Sequence, residues 1–555
     1  MKLSVRAGLS GVAAAAVAVG AAEVVAVLTG PLSAPLIAVG GVVVDNVPAP
    51  VKDFGVRVFG VHDKTALIVG TSILLAAYAY GVGVAALRSW RLAVGGIGLF
   101  ALVGVLAAMT RHDAGVFAWL PTVAGAALAV WVLRQLLEQA GVPAAALTLR
   151  AGHRVRAGER TTVPAAVRAG AGVGPGATTG AIPQRADDPA REGAEAGRDP
   201  YGEGRRGFLK SLGLAAGAAA VSGLAGRWWT SRQAVTTARS QVVLPAARQN
   251  APPVPAGAQV PGATPYISPN KDFYRIDTAL IPPRIDPANW QLRIHGMVRN
   301  PITITWEQLL QRPMIERYVT LACVSNEVGG DLIGNALWLG TPIRELLEEA
   351  GPLPGADQVV QRSVDGWTCG SPTSVLMDGR DALLAVGMNG EPLPVSHGFP
   401  VRMVVPGLYG YVSACKWITE IELSRFSDFD AYWVPRGWAA QAPIKTAARI
   451  DTPRDGGKRP AGPVVVGGVA WAQHRGITKV EVQVDDGEWA EATLAATVSS
   501  DTWRQWSWSW PATPGEHSLR VRATDGQGVT QTSTPAPPAP DGASGWHQIR
   551  VGIEN

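Results

Sequence analysis

Cysteine is nearly absent: the chain of 555 residues has three, Cys323, Cys369 and Cys415. They form no Cys-x-x-Cys and no Cys-x-x-Cys-His pattern, which disfavours a thiolate zinc site and covalently attached haem. If one of them is a ligand, the other two either pair as a disulfide outside the cytoplasm or stay as buried thiols, and buried thiols are the simpler expectation. Histidine is scarce as well, and the two that precede residue 140, His62 and His112, sit in connecting segments beside Asp63 and Asp113. Membrane haem needs paired histidines at depth on facing helices, so b-type haem is not expected, and no flavin motif is recognisable. Charged residues make up only 17% of the chain, and the net charge of +5 forms no stripe on one helix. The arginines collect between Arg134 and Arg206, which argues against nucleic acid as a partner and for a role in membrane topology.

What is abundant is apolar length. Apolar residues are 47% of the total and their excess falls before residue 140, so a chain too long for one core divides into a membrane portion and a soluble portion. Four segments, roughly Val5 to Leu28, Ala66 to Leu87, Leu92 to Met109 and Val116 to Leu133, approach the ~20 residues a helix needs to cross a bilayer. Together they predict a transmembrane helical region over 1–140. The run Leu32 to Val44, broken by Pro35 and ending at Asp45, predicts a re-entrant or interfacial piece. Glu23, near the outer end of its helix, is expected to snorkel, with an ion or proton path as the alternative. Lys2, Arg6, Arg88, Arg91 and the arginine-rich loop after Leu133 belong on the cytoplasmic side. Residues 141–204 have the composition of a disordered cytoplasmic linker. Arg205-Arg206-Gly207-Phe208-Leu209-Lys210, followed by the apolar stretch Leu212 to Ala225, reads as an internal twin-arginine signal retained as an anchor over 205–228; a fifth transmembrane helix is the alternative. Both readings make this a multi-pass plasma-membrane chain with everything beyond on the extracytoplasmic side, starting with a Pro/Ala linker over 229–263.

The informative stretch of the soluble portion is Tyr318-Val319-Thr320-Leu321-Ala322-Cys323-Val324-Ser325-Asn326-Glu327-Val328-Gly329-Gly330. A β-branched, apolar run breaks into a polar loop at one cysteine, which is how a rigid strand presents a side chain at a cavity rim. Downstream come Met388-Asn389-Gly390-Glu391-Pro392-Leu393-Pro394-Val395-Ser396-His397-Gly398-Phe399-Pro400-Val401-Arg402, then Val404-Val405-Pro406-Gly407 and Lys416-Trp417. With the Cys-x-x-Asn that begins at Cys323, these segments closely resemble the sulfite oxidase family of molybdenum enzymes, from about Thr264 to the C-terminus and not over the helices. Strand patterns at Trp290 to Gly296 and Ile302 to Ile304, and helix starts at Thr305-Trp306 and Thr341-Pro342, mix without regular alternation. The expectation is an α+β molybdopterin-binding domain over 264–452.

The resemblance implies that Cys323 ligates molybdenum through its thiolate, a soft donor suited to that centre. It implies that molybdopterin is held by Phe273, Tyr274, Arg275, Asp277, Asp365, His397, Arg402, Ala414 and Lys416, the cations serving its phosphate. It also implies an oxyanion site made by Arg275, Arg475 and a tyrosine, for which Tyr432 is the expectation. Two positions depart from the family: Asp277 replaces a histidine, and Val328, beside Glu327, replaces an arginine expected shortly after the cysteine. The first bears on a cofactor contact, and the second lowers the positive charge of the pocket.

From Arg459 onward the strand patterns Val464 to Val469, Ile477 to Val484, Trp489 to Leu494, Gln505 to Trp510, His517 to Ala523 and Trp546 to Val551, with turns at Asp485-Asp486-Gly487 and Asp525-Gly526, predict an immunoglobulin-like β-sandwich over 459–555. Trp506, Trp508 and Trp510 share one face and are expected in its core, with ligand stacking as the alternative. The resemblance implies a homodimer through this domain. The expected activity is two-electron oxo transfer on a small sulfur-oxyanion-like substrate, with electrons exchanged with a separate carrier, cytochrome or quinone-linked. The alternatives are a reductase of sulfoxides or other small oxo compounds, or a non-catalytic transporter or sensor with a degenerate ectodomain.

Overall fold

Apolar sequence before residue 140 folds into helices: α1 (Leu3–Thr29), α2 (Pro35–Asn46), α3 (Asp63–Ala86), α4 (Trp90–Met109) and α5 (Leu120–Gln139). In the computed structural model, residues 2–30, 33–47, 63–110, 115–147 and 232–555 are described, with Val58, Gly213 and Gly217 in isolation. The Arg205-Arg206 motif, the rest of the signal-like stretch 205–228 apart from Gly213 and Gly217, the linker over 148–204, His62 and His112 lie outside the described residues. Helices α1, α4, α5 and the 66–86 part of α3 are each long and apolar enough to cross a membrane. The 12-residue α2 is too short, in keeping with an interfacial piece. The fourth span starts at Leu120 rather than Val116, because Pro121 suits the first turn of a helix, and it runs on to Gln139 with an Arg134–Glu138 ion pair at 3.0 Å.

The described residues pack as two compact units, one drawn from 2–18, 75–100 and 126–147, the other from 19–74, 101–125 and 232–555. In the first, Gly11 lies against the Ala79 carbonyl and Gly83 against that of Ala7, so α1 and α3 meet backbone to backbone where any Cβ would collide.

In the second unit, helix α6 (Arg232–Gln241) is tied to the soluble core by Arg239, which donates to the Leu393 carbonyl at 2.8 Å and to Glu391 at 2.9 Å. The Pro/Ala-rich segment that follows lies along the core, with Arg248 N–H donating to the Met314 carbonyl and Val260 N–H to Gln505. Ten strands come next: β1 (Gln291–Gly296), β2 (Ile302–Thr305), β3 (Ile315–Ala322), β4 (Ile333–Pro342), β5 (Gln358–Ser363), β6 (Thr368–Pro372), β7 (Leu383–Met388), β8 (Glu391–Pro392), β9 (Arg402–Val404) and β10 (Ile418–Ser424). One sheet has the order β3-β4-β7-β8 with β9 also on β7; the other has the order β2-β1-β10-β5-β6. Short helices connect them, and two show how local sequence sets the ends. Thr305 caps Trp306–Leu310 reciprocally with Gln308. The helix Ile343–Ala350 ends on Gly351, left-handed at φ 66°, and no hydroxyl caps its start, because Thr341 donates to the Pro313 carbonyl.

The C-terminal strands are β11 (Ala447–Thr452), β12 (Gly457–Pro460), β13 (Gly462–Trp471), β14 (Ile477–Val484), β15 (Trp489–Glu491), β16 (Thr493–Leu494), β17 (Arg504–Ala512), β18 (Gly515–Asp525) and β19 (His547–Glu554). They form two sheets, β11-β13-β17-β16 and β12-β19-β18-β14-β15. Trp506 and Trp510 are buried in the core between them with Trp508 packed alongside. Cys369 and Cys415 are neighbouring free thiols with no exposed surface, Cys415 Sγ donating to the Lys416 carbonyl at 3.6 Å, so the buried-thiol expectation describes them.

Candidate functional site

Strand β3 ends at Ala322, paired with Ile333 of β4, and Cys323 is the first residue past the pairing. The loop between is short and stitched. Cys323 N–H donates to the Leu332 carbonyl at 2.9 Å, Asn326 N–H to the Cys323 carbonyl at 3.1 Å, and Leu332 N–H to Asn326 Oδ1 at 2.8 Å. The Cys-x-x-Asn spacing is thus a turn braced by its own asparagine, which fixes the direction of the sulfur. Burial pushes the Cys323 thiol up, while the Ser325 N–H and hydroxyl, the Lys416 ammonium and the Val324 N–H pull it down. A sulfur surrounded by donors is prepared to carry negative charge once a metal takes the place of its proton.

The other site residues predicted from sequence gather around it. Phe273 stacks on Tyr274 at 5.2 Å and meets His397 edge-on at 5.6 Å. The Tyr274 phenol is held well above its usual range by burial, with Cys323 adding to this and Arg402 opposing it, and its hydroxyl makes no hydrogen bond among the described residues. Gly410 lies beside Ala414, the Ala322 carbonyl and the Tyr274 hydroxyl. Arg402 is 5% exposed, lies over the Trp338 ring at 5.0 Å and donates to the carbonyls of His397 and Met403. Burial lowers its pKa to about 10, and among the described residues no carboxylate pairs with it. Lys416 Nζ lies 2.6 Å from Asp277 Oδ2, which also takes Arg275 Nε at 3.0 Å. Asp365 accepts from Trp367 N–H, and burial, reinforced by Asp277, raises its pKa.

The residues expected to bind substrate are arranged differently. Arg475 donates to Asp525 at 2.9 Å, to the Ile444 carbonyl and to Thr446, so an acid that is 2% exposed takes its charge. Tyr432 lies under the Arg436 guanidinium at 3.8 Å and edge-on to Trp433. Sequence reasoning left Tyr409 unassigned, although it stands in the glycine-flanked turn Gly407-Leu408-Tyr409-Gly410. It is 5% exposed, and burial pushes its phenol up to about 12, with the charges of Asp541 and Cys323 adding to this and Arg475 opposing it.

A family model described as the oxidoreductase molybdopterin binding domain matches residues 279–433, and one described as a bacterial Ig domain matches 447–521. Mouse sulfite oxidase is 27% identical over 341 residues, 52% of this chain and 62% of that protein. The uncharacterized oxidoreductase YuiH of Bacillus subtilis is 31% identical over 166 residues, 30% of this chain and 80% of YuiH. The chain belongs to the sulfite oxidase family. This sulfite oxidase-family chain carries the family's molybdopterin-binding domain, and it spans under two thirds of the length of the mouse enzyme. The sulfane dehydrogenase SoxCD of Paracoccus pantotrophus is similar in structure at 22% identity and TM-score 0.45, over 52% of this chain and 84% of that one.

The residues present fit the family's cofactor. A buried guanidinium without a carboxylate is the partner a phosphate needs, an unpartnered phenol facing it can donate, and a donor-lined thiol is the ligand a soft metal needs. His397 gives a test that does not need the cofactor. Its Nε2 is 3.1 Å from the Asn270 carbonyl, so the neutral ring donates there, and burial, with the positive charges of Arg402, Lys416 and Arg275, lowers its pKa to about 4. The unfolded chain protonates this histidine from about pH 6.5 downward while the folded chain does not. Stability is therefore full above that value and falls by about 1.4 kcal/mol per pH unit on acidification toward pH 4. Urea midpoints of cofactor-free protein are expected to fall on acidification through this range, His547 contributing in the same sense, and His397→Gln to make the slope shallower by about 1.4 kcal/mol per pH unit.

Proposed function

We propose that the chain is a membrane-anchored, extracytoplasmic molybdenum oxidoreductase: a transmembrane bundle, an α+β domain holding molybdopterin, and an immunoglobulin-like sandwich through which it dimerises. The observation that carries this reading is the gathering of the Cys323 sulfur, the Arg402 guanidinium, which has no carboxylate partner among the described residues, and the Tyr274 hydroxyl, which has no hydrogen bond among them. Cys323 would ligate the metal, and Arg402, Lys416 and His397 would hold the pterin and its phosphate beside Phe273, Tyr274, Asp365 and Ala414. The molybdenum of the bound cofactor would supply a two-electron change and an exchangeable oxygen. The protein orients the substrate, keeps water out and holds protons on the phenols of Tyr274 and Tyr409, which burial keeps neutral. Electrons pass to or from a separate carrier, cytochrome or quinone-linked.

For the substrate, a small sulfur oxyanion is the family reading, with Arg275, Arg475 and Tyr432 as its contacts. A specific observation favours a second reading, reduction of a sulfoxide or similar uncharged oxo compound. Arg275 and Lys416 share the Asp277 carboxylate, and Arg475 is paired with Asp525, so the cations that would meet a dianion already have acids on them. Full-length protein purified in detergent is expected to carry one molybdenum and one pterin per chain. Turnover of sulfite with ferricyanide, against turnover of a sulfoxide with a reduced dye, decides the direction. Asp277→Asn is expected to lower KM for a dianionic substrate about tenfold, equivalent to ~1.4 kcal/mol, and to leave KM for a neutral sulfoxide unchanged. Protein without molybdenum or pterin after expression in a cofactor-replete host would end this proposal.

A further inference from the structure

The loop that presents Cys323 is held from the C-terminal sandwich. Arg449 stands on β11 and His547 on β19, strands of different sheets, and Ile450 N–H donates to His547 Nδ1 at 3.0 Å where the two sheets meet. Arg449 Nη1 donates to the Gly330 carbonyl at 2.7 Å. Its Nε rests on Asp451 at 2.7 Å and its Nη2 on Thr264 Oγ1 at 3.0 Å, so the guanidinium has one available orientation. The His547 ring lies against Gly329, which has φ 78° and no side chain to bar the approach; a Cβ there would sit inside the ring. On the other side of the sulfur, Thr320 is gripped by the same domain. Its N–H donates to the Asp501 carbonyl at 3.0 Å, its carbonyl accepts from Gln473 Nε2 at 3.0 Å, and its hydroxyl accepts from Trp503 N–H at 2.8 Å. The strand before the cysteine and the loop after it are thus both fixed from outside the molybdopterin-binding region.

A ligand atom on a loop is only as well placed as the loop, and productive metal geometry tolerates displacements of about 0.5 Å. We propose that Arg449 and His547 are positioning residues for the Cys323 sulfur, which makes the C-terminal sandwich part of the metal-ligating apparatus as well as an assembly module. The metal half of this statement rests on ligation by Cys323; the placement of the sulfur does not.

Two readouts on the full-length chain separate those halves. In cofactor-free protein, Cys369 and Cys415 are fully buried, so alkylation by iodoacetamide reports Cys323. Arg449→Met and His547→Ala are expected to speed that reaction about tenfold, and His547→Asn, which keeps an acceptor for Ile450 N–H, to restore the slow rate. In molybdenum-loaded protein the first two variants are expected to shift the sulfur-to-metal absorption band and to lower kcat about 10–100-fold, the usual effect of residues that orient a ligand, with KM unchanged. Alkylation rates, spectra and kcat equal to wild type in both variants would overturn the inference. Faster alkylation in a chain that never binds molybdenum would uphold the positioning of the sulfur and sink the metal reading alone.

Discussion

Cys323→Ser is expected to abolish turnover and the sulfur-to-metal absorption band while leaving the melting temperature within a few degrees of wild type. Serine fits the same braced turn and can accept from the same Ser325 and Val324 donors, so the fold has no reason to fail. What changes is the donor atom. A buried hydroxyl keeps its proton far more firmly than a thiol and offers hard oxygen to a metal that takes soft sulfur. The loss should exceed the about 10–100-fold typical of residues one shell further out. Metal analysis, absorption and single-turnover rates measure it, and a serine variant that turns over like wild type would refute ligation.

Arg402→Met is expected to act almost entirely on cofactor retention. The buried guanidinium has carbonyl partners in His397 and Met403 and no acid among the described residues. A bound phosphate would therefore be its only counter-charge, and removing one member of such a pair costs about 2–5 kcal/mol. The cofactor-free protein should lose less than about 1 kcal/mol, since relief of an uncompensated buried charge offsets the lost bonds to the carbonyls. Pterin content after dialysis, set beside the urea midpoint of cofactor-free protein, separates the two effects. Loss of stability without loss of pterin would make Arg402 a structural residue only.

The sequence carried the parts of this site that are local. Cys-x-x-Asn encodes its own turn, and the segment from Met388 to Arg402 places His397 and Arg402 near each other because they are neighbours in the chain. Apolar length announced the four helices, and strand alternation announced the sandwich strands. Relations between distant residues were not legible. The bond from Arg449 to Gly330 joins positions 119 residues apart, and no local pattern marks it. The exchange of a histidine for Asp277 could be seen in the sequence, but that this acid answers both Lys416 and Arg275 follows only from where β9 and β10 bring the lysine. Tyr409 sits beside a recognised motif, but its burial comes from the fold around it and no local pattern marks it. Thr341 had every local mark of a helix cap and was drawn away by the Pro313 carbonyl, a tertiary partner overriding a short-range preference.

The neighbouring thiols of Cys369 and Cys415 have a bearing on the life history of the chain. Sealed from solvent, they can meet an oxidant only before the surrounding core closes or when it reopens. A molecule that finished folding in a reducing compartment keeps both sulfurs protonated wherever it travels afterwards. One that reached an oxidising compartment as an open chain has the chance to join them. The state of this pair in mature protein is therefore a record of whether folding or export came first.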